Sequence, residues 1–124
     1  MLLKKTWVLV ANGSMARIFD FSKGFLEQFK VFNHPATRAH AHVAEKHAIT
    51  VHHEARHFAE EVSQYLDLKR KMKQFEQLHV IASPLFLGLL RNQLDRETQR
   101  SIGRQINKNL VEESVGHIDT YLRS

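Results

Sequence analysis

The chain has no cysteine among its 124 residues. That absence excludes disulfides, thiolate zinc centres and a cysteine nucleophile, and it fits a reducing compartment. Long hydrophobic runs are missing too, since none approaches the roughly 20 apolar residues that span a bilayer. The early apolar run Trp7 to Ala11 stops at Asn12-Gly13, short of the about 7–15 residues of a secretory core. The expectation is a cytoplasmic protein with no membrane insertion. The nucleophile elbow Gly-x-Ser-x-Gly, the Walker loop and Gly-x-Gly-x-x-Gly are all absent, so no residue is assigned a catalytic role.

What is present describes an ordinary globular domain. Hydrophobic residues make up 43% and charged residues 25%, enough for a core and too apolar for a disordered chain. At this length folding buries about two thirds of the unfolded surface, so residues 1–124 are read as one domain. The formal charge of +5 and the pI near 9.7 favour a polyanionic partner without naming it.

Trp7-Val8-Leu9-Val10-Ala11 is apolar at every position, as a strand covered on both faces should be. Asn12-Gly13 supplies the left-handed residues that tight hairpins prefer, and Met15 to Phe21 follows as the antiparallel partner. After Ser22-Lys23-Gly24, the run Phe25 to Phe32 completes a three-stranded meander. Residues 34–53 are a polar, His-rich connection. Within it Ala36 to His47 suits a short helix, whereas Ile49-Thr50-Val51 would resist one. Glu54 to Met72 carries Ala55, Phe58, Ala59, Val62, Tyr65 and Leu66 at helical spacing.

Leu78 to Ala82 reads as a strand reached by a helical crossover, hence parallel to a meander strand. Ser83-Pro84 opens a second helix whose Leu85 to Leu90 stretch is apolar nearly all round. Asp95 to Arg100 is read as a charged connection and Ile102 to Asn107 as a half-exposed edge strand. Asn109 with Glu112 resembles a capping box for a last helix bearing Val111, Val115, Ile118 and Leu122. The expected architecture is α/β (α+β), a mixed sheet with an N-terminal antiparallel meander, in the order β-β-β-α-β-α-β-α.

Several of these segments resemble one family, the proteins required for attachment to host cells. The resemblance rests on Trp7 to Gly13 followed by Ala16-Arg17-Ile18-Phe19, then His34-Pro35 and Phe58-Ala59-Glu60-Glu61. It continues through Ile81-Ala82-Ser83-Pro84, Phe86 to Arg91 and Ile106 to Leu110. The resemblance implies an RNase H-like fold similar to the middle domain of archaeal and eukaryotic peptide-chain release factors. Those factors act through a Gly-Gly-Gln tip, and this chain has no Gly-Gly pair. Two departures stand out. The His-rich segment replaces a longer Gly- and Asp-containing loop, and Asn107 and Asn109 stand where the family carries acids.

Two clusters bear on function. The basic series Arg91, Arg96, Arg100, Arg104 and Lys108, with Lys69, Arg70 and Lys71, would form a phosphate footprint if it shared a face. Helix-end cations on solvated faces explain the same residues. Seven of nine histidines lie between His34 and His57. His53-Glu54-Ala55-Arg56-His57 spells H-E-x-x-H, and His40 with His42 would supply further zinc ligands. Solvent-facing or structural histidines are the plainer explanation, so no cofactor is assigned beyond that zinc alternative. Most of the aromatics fall at core-like positions and are read as core residues rather than stacking platforms. The favoured function is a non-enzymatic binding module with RNA or the ribosome as partner. The alternative is a protein-interaction module that affects attachment indirectly, and a metal-dependent hydrolase on His53 and His57 ranks third.

Overall fold

The structure is a computed structural model. It describes the backbone of residues 4–33 and 44–124 and the side chains of 4–33 and 53–124. Five strands, β1 (Thr6–Ala11), β2 (Met15–Asp20), β3 (Glu27–Asn33), β4 (Gln77–Ala82) and β5 (Ile102–Asn107), form one sheet in the order β3-β2-β1-β4-β5. Among the described residues four helices accompany them: α1 (Ala44–Lys71), α2 (Pro84–Gln93), α3 (Arg96–Arg100) and α4 (Val115–Arg123). The meander is antiparallel, and β1-β4-β5 run parallel.

The unbroken apolar run of β1 places it at the centre, with every residue buried. Trp7, Leu9 and Ala11 pack with Phe58, Val62 and Leu66 of α1 and Phe86 and Leu90 of α2. Val8 and Val10 face the opposite layer, against Leu110, Val111 and Ile118 and Leu122 of α4. Each fully buried aliphatic side chain contributes about 1.5–3 kcal/mol relative to an exposed one, so β1 anchors both layers. Arg17 fixes the approach to α4, its Nη1 donating to the carbonyls of Val111 at 3.1 Å and Glu113 at 2.7 Å.

Several sequence expectations need correction. The order gains one element, because Asp95 to Arg100 is a helical turn rather than a plain connection. Its cap is Asp95, which accepts from the Thr98 amide at 2.8 Å. Helix α1 starts at Ala44 and runs through Ile49-Thr50-Val51. The few tenths of a kcal/mol that β-branched residues cost are overridden once a helix is propagating. Of the proposed Ala36 to His47 helix, only Ala44 onward lies within the described residues.

Neither Asn12 nor Gly13 has positive φ. The turn is held instead by the Asn12 side-chain Oδ1, which accepts from the amides of Ser14 and Met15, both at 2.9 Å. Gly13 serves packing: a Cβ there would lie 3.1 Å from the Ala55 Cβ of α1. Helix α2 buries Phe86 and Leu90, but Leu85 is exposed, since only one face meets α1 and the sheet. The cap of α4 is Ser114, accepting from the His117 amide at 3.1 Å. Asn109 stands too early for that role, in the turn that buries Leu110 and Val111.

Candidate functional site

The eight cations grouped by sequence do not share one face. Arg70 is structural: its Nε donates to the Thr98 hydroxyl at 2.9 Å and its Nη2 lies 3.4 Å from the Asp95 carboxylate. Burial pushes the Asp95 carboxyl up, but the Thr98 amide and hydroxyl and the Arg70 guanidinium outweigh it and hold the group below its usual range. Lys71 sits 4.0 Å from the same carboxylate. Arg100 pairs with Glu97 at 2.9 Å. Arg104 donates through Nη1 to the Leu122 carbonyl and, at 3.4 Å, to that of Ser124, which ties down the end of α4. Lys108 lies over the Tyr121 ring at 5.5 Å. Arg91 and Arg96 are exposed on α2 and α3, without a carboxylate partner among the described residues.

An open cavity of about 660 Å³ gathers Arg70 and Arg100 with Lys5, Lys73, Glu76 and Glu97. Its cations are largely spent, because Arg70 and Arg100 hold Asp95 and Glu97 and the Lys5 ammonium reaches the Lys73 carbonyl at 3.4 Å.

Lys69 belongs to a different cluster. Its ammonium lies 5.4 Å from the Tyr65 ring centroid, and Lys30 of β3 approaches the same ring at 5.5 Å. Burial pushes the Tyr65 phenol up, so both cations face a neutral ring, the arrangement that cation–π attraction favours. Phe32 meets Tyr65 edge-on at 5.2 Å, and Trp7 stacks on it at 6.3 Å.

A β-bulge builds this surface. The pairing steps from Ile18↔Lys30 to Phe19↔Gln28 and leaves Phe29 without a partner, so Phe29 and Lys30 both turn toward the α1 side. Phe29 packs edge-on against Trp7 at 4.7 Å and stays 46% exposed. Phe25 is 52% exposed, so these two stand outside the core positions that most of the aromatics occupy. Period-two alternation hid Phe29 and Lys30, because a bulge inserts a residue that the alternation does not count.

His53 and His57 lie about three turns into α1 rather than at its start, and both are exposed. The His57 Nδ1 lies 3.6 Å from the Glu60 carboxylate. Among the described residues no three His, Asp or Glu side chains converge as metal ligands. His40 and His42 lie outside the described residues. One histidine that sequence reasoning passed over is more constrained. His79 of β4 accepts the Arg104 amide at Nδ1, 3.0 Å away, and burial together with the Arg104 charge pushes its pKa down.

Helices α1 and α2 on one side of a five-stranded mixed sheet and α4 on the other define a three-layer α/β domain. The chain belongs to the family of proteins required for attachment to host cells, whose family model matches residues 7–122. Comparison with the curated proteins finds none that matches. Among the described residues no helix is long and apolar enough to cross a membrane.

Proposed function

We propose that this member of the host-attachment family is a non-enzymatic binding module whose partner is RNA, free or within the ribosome. The carrying observation is the surface around Tyr65. Lys30 and Lys69 converge there from β3 and α1, with no carboxylate partner among the described residues, over a bed of Trp7, Phe32 and Tyr65. Cations beside aromatic rings are the combination that holds a polynucleotide backbone and its bases. The net charge of +5 supports the same reading through long-range attraction. The likeness of the family's fold to the release-factor middle domain directs the search to the ribosome, by analogy alone.

The test is sedimentation of the tagged protein from lysate, with and without RNase, together with titration of purified protein with RNA at several salt concentrations. RNA-dependent co-migration lost at high salt is the expected result. Lys30→Glu with Lys69→Glu should flatten the log–log salt dependence by about 0.7 per phosphate contact removed. Migration as a free small protein under every condition would overturn the proposal. The protein-interaction alternative draws on Leu68, Met72 and Leu85, apolar side chains each more than half exposed on α1, its C-terminal turn and α2. Co-migration that survives RNase would favour it.

A further inference from the structure

Beside the Tyr65 surface lies an open cavity of about 570 Å³, walled by Trp7 and Phe29 and rimmed by Gln28, Gln74 and Ser22. Its charge differs from that of its neighbour. Lys5 is its one cation, set against Asp20 and Glu27. Both acids are engaged locally, Asp20 accepting the Ser22 amide at 2.9 Å and Glu27 pairing with Lys23 at 3.4 Å. An interior of this charge repels phosphate and accommodates a neutral, planar, polar-edged group. The neighbouring surface of Lys30 and Lys69 does the reverse. The two compartments adjoin along Phe29-Lys30, the pair that the β3 bulge places side by side.

The geometry points to a site for one unpaired nucleotide of a single-stranded RNA. The base enters the cavity and stacks on Phe29, and the flanking phosphates lie along Lys30 and Lys69. This rests on the RNA-binding reading and narrows it, since a paired base cannot leave its stack without cost. Phe29 suits the role because its ring is half exposed yet braced against Trp7 at 4.7 Å. Gln28, Gln74 and Ser22 line the same cavity. Gln28 Oε1 accepts from Arg17 Nε at 2.7 Å and Ser22 Oγ from the Thr6 amide at 2.9 Å, so reading of a base edge falls to the Gln74 amide and the Gln28 NH2. The bulge together with Lys30 also discourages β3, the terminal strand of the described sheet, from pairing with another sheet.

Trp7 is the sole tryptophan of the chain and forms a wall of the cavity, so its fluorescence reports occupancy directly. The experiment titrates the full chain with a short oligouridylate and, separately, with a duplex RNA of equal charge, following Trp7 emission and anisotropy of labelled RNA. The single strand should bind more tightly and perturb Trp7, whereas the duplex should not. Phe29→Leu should weaken the single strand by roughly five- to a hundredfold while leaving the salt slope unchanged. Phe29→Tyr should restore binding, which separates stacking from a general loss of structure. Equal affinity for the two RNAs, or an unaffected Phe29→Leu variant, would overturn the stacking site and leave the polyanion surface standing. Absence of salt-dependent binding to either RNA would overturn both.

Discussion

The Arg104 amide donates to Nδ1 of His79 at 3.0 Å, so an imidazole takes up a strand amide at the β4–β5 junction. The register explains the need for it. Pairing moves from Leu78↔Ile102 to Val80↔Gln105, which leaves one extra residue on β5. Bulges are rare between parallel strands, and the amide they free must find another acceptor. Nδ1 accepts only while unprotonated, so the folded state holds His79 neutral, with its proton on Nε2.

That requirement makes stability pH-dependent in a definite direction. Burial first, and the Arg104 charge second, hold the His79 pKa below its usual value. The folded state therefore binds fewer protons than the unfolded state in the interval between the two values. This stability is complete above the ordinary histidine value of about 6.5 and is lost as pH falls from there through the folded value. His79→Gln keeps a neutral polar side chain and removes the titration. Thermal melts across the mildly acidic range should show a steeper decline for the native protein than for His79→Gln. Parallel declines would sink the assignment.

Gly103 has a packing role on the same strand. A Cβ there would lie 2.8 Å from the Gln77 amide nitrogen and 2.9 Å from Cε1 of His79. The Gln77 tip can swing away, but the ring can move only by giving up the Arg104 amide. Gly103→Ala should cost about 1 kcal/mol, the worth of that bond, and the cost should shrink in a His79→Ala background. Urea unfolding of the four proteins in the cycle measures the coupling. Simple additivity would show that the two positions do not meet.

Asp95 joins the end of α1 to α3. It caps α3 through the Thr98 amide at 2.8 Å and faces Arg70 at 3.4 Å, and its own amide reaches the Asp67 carboxylate at 3.2 Å. Asp95→Ala should destabilise the chain by about 1–2 kcal/mol, whereas Asp95→Asn keeps the cap and should cost less. Chemical denaturation distinguishes them, and equal losses would show that the cap contributes nothing. Because the folded carboxyl sits below its usual range, its stabilisation is present above pH of about 4 and disappears as pH falls through the folded value.

The parts legible in the sequence are those with a sustained period. Strand β1 announced itself by an unbroken apolar run, and the stripe of Phe58, Val62 and Leu66 marked the face of α1 that is buried. The parallel β4 followed from the crossover rule. Features shorter than a period were hidden. Helix α3 has five residues, too few to repeat, and the bulges at Phe29 and on β5 break the alternation used to find strands.

The candidate site was less legible because a cation's role is decided by residues distant in sequence. Arg70 is committed to Thr98, 28 residues away, and Arg104 to Leu122, 18 residues away. Of the eight cations grouped by composition, only Lys69 reaches the Tyr65 surface. Its counterpart Lys30 lies in a strand where sequence spacing offered no reason to single it out.

The central place of β1 has a consequence for biosynthesis. Its neighbour β2 emerges at once, but its other partner, β4, is paired through residues such as Thr6 and Gln77, 71 positions apart. A nascent chain that has released the meander alone therefore displays a strand that is apolar from Trp7 to Ala11 with one bare edge, the kind of surface that recruits other chains. The interval before β4 arrives is the vulnerable period in this protein's life, when chaperones have most to do.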